Sequence, residues 1–377
     1  MDKIYDHLKQ QQDKMMESLK TIVECESPSK DKALSDILSN KLIEIFQQLT
    51  GGKATPIQIK DYGNHVRGEF GEGEEQILLV GHYDTVFPAG KIKELPFRVE
   101  GNKAYGPGIF DMKGGLIAGI YALKTIKELG IKLDKKVVFL FNSEEEIGSP
   151  TSRQYIEEEA RKSKYVMVLE CAGPNGAVKT MRKGVGMFDL QIKGKAVHSG
   201  IDYENGVSAV QELAKQIVYL HGLTDLSKGT TVNVGKIQGG TTYNVVAENA
   251  SAEIDLRIAT HAEAQRVIPQ ILSVKPFDTR TKVEMTGGLN RPPFERTEGG
   301  AGMYKLAKEL AAKYLGFELG EVSTGGASDG NFTSSISPTL DGMGAFGEGA
   351  HSVTEYIVVD QLPVRSALIA LLLANLK

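Results

Sequence analysis

The chain has 377 residues, enough for two domains of ordinary size, each with its own core. A 41% hydrophobic, 24% charged composition is that of a soluble globular protein, and a formal net charge of −4 supplies no basic field for nucleic acid or an anionic membrane. The N-terminal stretch is charged and amphipathic, the apolar run from Ser366 to Leu376 is too short for a bilayer, and Cys25 and Cys171 make no disulfide framework, so a cytoplasmic location is expected.

Apolar residues at helical spacing predict helices over 2–24 and 30–49, separated by a break at Glu26 to Lys30, then strands near 55–60 and 64–70. The apolar run Ile77 to Val80 ends in Gly81 and then presents His82 and Asp84. Residues two apart in extended chain point to one side, so Asp84 is placed to orient the His82 ring, as carboxylates do for metal-bound histidines. Gly106 to Gly115 opens a helix reaching about Leu129; its glycines free the backbone around Asp111, and the spacing does not match a phosphate-binding P-loop.

Five apolar residues from Val137 to Phe141 predict a strand covered on both faces, running into Glu144, Glu145, Glu146 and Gly148. Ser149 and Pro150 read as an N-cap and first helical position, with a helix to about Ala160. A further apolar strand from Lys164 ends at Glu170. Carboxyl ends of parallel strands are where open α/β sheets place ligands. Four successive strand ends thus offer His82, Asp111, Glu145 or Glu146, and Glu170, a nitrogen and oxygen set without thiolate that suits zinc, manganese or cobalt. More carboxylates than one cation needs point to two ions.

Between about 181 and 289 the pattern changes to β-α-β-β-α-β: strands over 185–195, 230–238, 249–259 and 280–286, helices over 205–221 and 261–272. That order is ferredoxin-like and predicts an inserted domain. It carries His198, Asn244 and Arg257, none required by its core pattern. After a linker at Asn290 to Pro293, a helix over 299–315 and a glycine-rich turn at Ser323 to Gly330 lead to His351, the natural fifth metal ligand. The first domain, 1–180, is completed by 290–377. Cys171 reads as core packing, and a nucleophilic serine hydrolase is set aside, with no serine elbow expected.

His82-x-Asp84, the Gly106 to Gly115 stretch around Asp111, Glu145-Glu146-x-Gly148, Glu170, His198-Ser-Gly200 and His351-Ser together resemble the M20 family of di-zinc metallopeptidases. The resemblance is strongest to its glutamate carboxypeptidase (carboxypeptidase G2-like) branch, a group that includes aminoacylases and deacylases. It spans the whole chain and implies a mixed-sheet α/β catalytic domain with an inserted α+β lid and dimerisation domain. It implies two Zn2+ per chain, with Co2+ or Mn2+ as substitutes: Asp111 bridging, His82 and Glu170 on one ion, Glu146 and His351 on the other.

The Glu-Glu-x-Gly register makes Glu145 the general base and leaves Glu144 outside the ligand set. His198 corresponds to a lid histidine that stabilises the oxyanion in a dimer partner, and Asn244, Arg257, Gly325 and Gly326 to groups holding the substrate. A cis peptide after Asp111 is also implied. The expected activity is hydrolysis of an amide next to a free carboxylate in a small peptide or N-acyl amino acid, by a homodimer that uses neither nucleic acid nor membrane. N-acyl-amino-acid deacylase or dipeptidase action is the alternative on the same site, and a silent binding protein the alternative of another class.

Overall fold

A computed structural model describes all residues, 1–377, as two compact units. The first comprises Met1–Met181, Arg296–Thr324 and Ser328–Lys377; the second comprises Arg182–Glu295 with Gly325–Ala327. Strands are numbered β1 (Lys53–Ile57), β2 (His65–Phe70), β3 (Gln76–His82), β4 (Lys136–Asn142), β5 (Ser163–Val168), β6 (Gly184–Lys193), β7 (Thr231–Gly239), β8 (Asn249–Ile258), β9 (Lys282–Arg291) and β10 (Thr339–Leu340). The helices used below are α1 (Lys3–Gln10), α2 (Gln12–Glu24), α3 (Lys32–Thr50), α4 (Gly114–Glu128), α5 (Ser152–Lys162), α6 (Ala209–His221), α7 (His261–Leu272), α8 (Glu298–Leu310) and α9 (Gln361–Asn375).

The first unit is built on a mixed six-stranded sheet in the order β1-β2-β4-β3-β5-β10. β4, β3, β5 and β10 run parallel, while β1 and β2 form an antiparallel edge. The apolar runs of β3 and β4 are buried on both faces, as continuous hydrophobic strands in parallel sheets are. Ile77, Leu79, Val137, Phe139 and Phe141 join one core cluster with residues of α4 and α9. Leu78, Val80, Val138 and Leu140 point the other way, to Ile156 and Ala160 of α5. Each such side chain contributes roughly 1.5–3 kcal/mol by leaving water, and together they fix the register that aligns His82 with Asn142 at the strands' carboxyl ends.

The second unit is an antiparallel sheet in the order β7-β8-β6-β9, with α6 and α7 supplying its core partners. Its β-α-β-β-α-β sequence in this strand order is the ferredoxin-like arrangement.

Local departures from the sequence reading have physical causes. The first predicted helix is two, α1 and α2, broken at Gln11. The strand expected at 55–60 lies at Lys53–Ile57, where it pairs with β2. β9 continues into the expected linker as far as Arg291, because the prolines come only afterwards and Gly287 at φ 113 lets the chain pass close to Met187. α5 begins at Ser152 rather than Pro150. Short strands at Arg98–Glu100, Lys103–Tyr105, Gly347–Glu348 and Tyr356–Val358 form a separate small sheet. No helix is long and apolar enough to cross a membrane.

Candidate metal centre

The carboxyl edge of the first unit's sheet gathers the residues that the strand ends promised. His82 is the last residue of β3 and is 1% exposed. Its Nε2 lies 3.1 Å from Asp111 Oδ1 and 3.4 Å from Glu170 Oε1. On the other side of Asp111, Oδ2 lies 3.3 Å from His351 Nε2, which is in turn 3.0 Å from Glu146 Oε2. Asp111 therefore stands between two imidazoles, one carboxylate oxygen to each. Glu145 offers a carboxylate oxygen to the same space, its atom and those of His82 and Glu170 all lying within 4.8 Å of one another.

Each of these side chains is held by its own local structure. Asp111 sits in a kink just before α4, and the Asp111–Met112 peptide is cis, as the resemblance implies. Gly115 makes that approach possible: a Cβ there would come within 1.9 Å of the Leu169 carbonyl, so the first turn of α4 lies directly against the chain leading to Glu170. Asp84, fully buried, accepts from Ser29 Oγ (2.6 Å) and from the main-chain N–H groups of Glu145 (3.1 Å) and Glu146 (3.2 Å). His82 Nδ1 lies 3.1 Å from the Asp84 main-chain oxygen and 3.3 Å from its Oδ1, so the carbonyl is the nearer acceptor. Asp84 thus orients the ring and pins the loop that carries both glutamates.

Glu144 points elsewhere. Its carboxylate accepts the N–H groups of Thr151 and Ser152, each at 2.8 Å, and both their hydroxyls, at 3.0 and 2.5 Å, satisfying orphan donors at the start of α5. This is why the cap is not Ser149: that residue takes φ 56, and its hydroxyl donates to Asp329 at 2.7 Å. Burial raises the Glu144 carboxyl above its ordinary range.

The electrostatics mark a site short of positive charge. Burial opposes an imidazolium at His82, but Asp111, Asp84 and Glu170 outweigh it and hold its pKa well above the usual value. Asp111 and Glu146 push His351 up to about 10, while the same two histidines outweigh burial at Asp111 and hold it well below the carboxylate range. Glu146 is raised by burial, and its Oε1 is buried without a hydrogen-bond partner. Two imidazoles among more carboxylates, one oxygen left over, is a donor set that fits hard or borderline divalent cations.

The sequence reading overlooked Glu355. It is 3% exposed and accepts N–H groups from Gly108 (3.1 Å), Phe110 (2.7 Å) and Asp111 (2.8 Å); burial pushes its carboxyl up to about 8. Its only sequence signal is an acid four residues after His351. A Gly-x-Ser-x-Gly spacing, against expectation, does occur at Gly326 to Gly330. Its Ser328 is fully buried, donates to Asp341 at 2.6 Å and accepts from the Gly330 N–H, so it is no exposed nucleophile.

The remaining predicted residues belong to the second unit. His198 is exposed and its Nδ1 accepts from the Gly200 N–H, while the next residue, Ser199, donates its N–H to the Asn244 carbonyl at 3.0 Å, setting His198 and Asn244 on adjoining segments. Arg257, on β8, bonds Asp255 through Nε at 2.9 and 3.2 Å. Gly325 and Gly326 are exposed, and the Gly326 carbonyl accepts from Arg182.

A mixed α/β sheet with imidazoles and carboxylates gathered at its carboxyl edge is the frame of a metal site, and the family match puts it in the class of metallopeptidase and amidohydrolase enzymes. The sequence matches peptidase family M20/M25/M40 over residues 78–375. It is 31% identical to carboxypeptidase G2 of Pseudomonas sp. (strain RS-16), across 97% of this chain and 90% of that protein. It is 23% identical to a succinyl-diaminopimelate desuccinylase of Orientia tsutsugamushi (strain Ikeda), across 92% of each. The fold matches a solved tripeptidase from Staphylococcus aureus with a TM-score of 0.80 at 22% identity, covering 96% of this chain and 98% of that one. The chain belongs to peptidase family M20/M25/M40.

Proposed function

We propose that the protein is a zinc-dependent exopeptidase that cuts an amide bond next to a free carboxylate and releases a C-terminal amino acid. The observation that carries this is the double convergence on Asp111, with His82 and Glu170 on one side and His351 and Glu146 on the other. Those five residues would hold two cations, with Co2+ or Mn2+ as substitutes. When bound, such a pair polarises the scissile carbonyl and makes a water nucleophilic near neutral pH.

The chain's own part begins with Glu145. Its main-chain N–H is fixed by Asp84, and its carboxylate takes the proton from the attacking water and returns it to the departing nitrogen, so the base is regenerated as the C–N bond breaks. Asp84 holds His82 in one orientation throughout. Arg257 receives the substrate carboxylate through its two terminal nitrogens, since both bonds to Asp255 use Nε, and Asn244, Gly325 and Gly326 complete that contact. His198 donates to the developing oxyanion in a homodimer assembled through the second unit. The unpaired Cys25 and Cys171 agree with a cytoplasmic location.

The likeness to a desuccinylase favours a second reading on the same residues, removal of an acyl group from an N-acyl amino acid. Amino-acid release from a panel of dipeptides and N-acyl amino acids, with zinc-loaded and chelator-stripped protein side by side, separates the readings. Zinc-dependent release from the dipeptides is expected, and release from the N-acyl amino acids alone would favour the second reading. Two bound zincs with no release from any substrate would move the assignment to a silent binding protein.

A further inference from the structure

Glu355 lies outside the five ligands and the base, and it occupies a particular place between them. Oε1 accepts from the N–H groups of Phe110 and Asp111, and Oε2 from that of Gly108, so both carboxylate oxygens are spent on the loop that presents Asp111. The same residue ends the turn that presents His351: the Glu355 N–H donates to Ser352 O at 3.1 Å, and the Ser352 N–H to Gly349 O at 2.9 Å. Beyond it, Tyr356–Val358 pairs with Lys103–Tyr105, which leads into the Asp111 loop. One side chain therefore joins two loops that are 244 residues apart in sequence at the Asp111–Glu355 bond.

The two halves of the centre depend on that joint unequally. His82 and Glu170 stand at the ends of β3 and just past β5, in the buried sheet. His351 has a side chain 53% exposed and a left-handed backbone at φ 63, in the turn between the short paired strands Gly347–Glu348 and Tyr356–Val358. Its distance to Asp111 is set by how the two loops are tied.

We propose that Glu355 is a positioning residue for the second cation, fixing Asp111 against His351 and Glu146 while leaving the His82 and Glu170 half largely to the sheet. This rests on the di-metal reading above. Replacement by Gln keeps the volume and one acceptor oxygen, which can retain Phe110 and Asp111, but sets an NH2 against the Gly108 N–H. Replacement by Ala leaves all three N–H groups without their acceptor.

The test is metal binding rather than turnover. Metal-stripped wild type, Glu355→Gln, Glu355→Ala and Glu355→Asp are titrated with Co2+ alone, followed by visible absorption and by metal analysis after dialysis against a weak chelator. Wild type should bind two equivalents. Glu355→Gln should keep one equivalent near wild-type affinity and lose roughly tenfold on the other, as replacing groups that orient metal ligands does. Ala should lose more, and Asp less. In a His351→Ala background Glu355→Gln should add little further loss, because both changes act on one half-site. A general packing role would instead lower the melting temperature of the stripped proteins without separating the two equivalents. Two equivalents bound by Glu355→Gln and Glu355→Ala with unchanged affinity, or equal weakening of both, overturns the proposal. Fewer than two equivalents in wild type would fault the di-metal reading itself.

Discussion

Three consecutive glutamates sit at one strand end; the structure gives Glu144 a cap's contacts and the proposed mechanism makes Glu145 the base, so exchanging Glu144 and Glu145 for glutamine one at a time should give opposite phenotypes. Glu144 accepts four hydrogen bonds at the N-terminus of α5 and is fully buried. A glutamine there can serve one side with its oxygen but turns an NH2 toward the other, leaving a buried backbone donor unpaired at a cost of roughly 1–3 kcal/mol. Losing the negative charge from the helix N-terminus adds roughly 0.3–1 kcal/mol. Glu144→Gln should therefore lose roughly 1.3–4 kcal/mol, a melting-temperature drop between a few and about 10 °C, while keeping metal and most of its turnover. On the proposed mechanism Glu145→Gln removes the base and neither a cap nor a ligand; it should unfold like wild type and bind the same metal, with kcat lower by roughly 10²–10⁴. Calorimetric melting, metal analysis and amino-acid release on the same three preparations check this. If Glu144→Gln were inactive at wild-type stability while Glu145→Gln kept turning over, the register of the triplet would be wrong and the mechanism with it.

Two further outcomes follow from buried groups around the centre. Asp84→Asn should weaken metal binding roughly 10- to 100-fold by chelator competition, because Asp84 both orients His82 and holds the N–H groups of Glu145 and Glu146; affinity equal to wild type would remove it from that role. His65 is fully buried between Ser143 and Thr151, and burial lowers its pKa to about 4. The unfolded chain then takes up a proton near the ordinary pKa of 6.5 that the native state refuses until about 4, so stability is intact above 6.5 and falls as pH drops through that window. The loss totals about 3 kcal/mol at 2.303RT per pH unit. In urea unfolding of metal-free protein, His65→Gln should show a shallower decline between pH 6.5 and 4 than wild type; parallel declines would contradict the assignment.

How much of this was readable beforehand depends on how far each residue's role reaches along the chain. His82, Asp111, Glu146 and Glu170 were legible because each follows a local signal, an apolar strand or a glycine-rich break running into a ligand type. Helices α3, α4 and α7 were legible from apolar spacing for the same reason. The Glu144 cap was not. An acid seven and eight residues before two N–H donors becomes a cap only if the chain between them folds back, and that fold-back depends on the left-handed Ser149 and on its bond to Asp329, 180 residues away. The short strands around Lys103 and Tyr356 were equally silent, since two or three residues carry no periodicity.

The same distinction explains why the resemblance offers candidate ligands more readily than it offers what holds them. A ligand must be a particular residue type at a particular point in space, and chemistry limits the types to a few. A group that accepts backbone N–H bonds can be any acid whose loop happens to arrive there. Glu355 meets Gly108, Phe110 and Asp111 beside the pairing of Tyr356–Val358 with Lys103–Tyr105, segments far apart in the sequence. Within ten residues of Glu355 the one signal is its place four residues after His351. The centre is thus written locally in the sequence, while its rigidity is written in long-range pairings, and substitutions that leave every ligand in place can still unmake it.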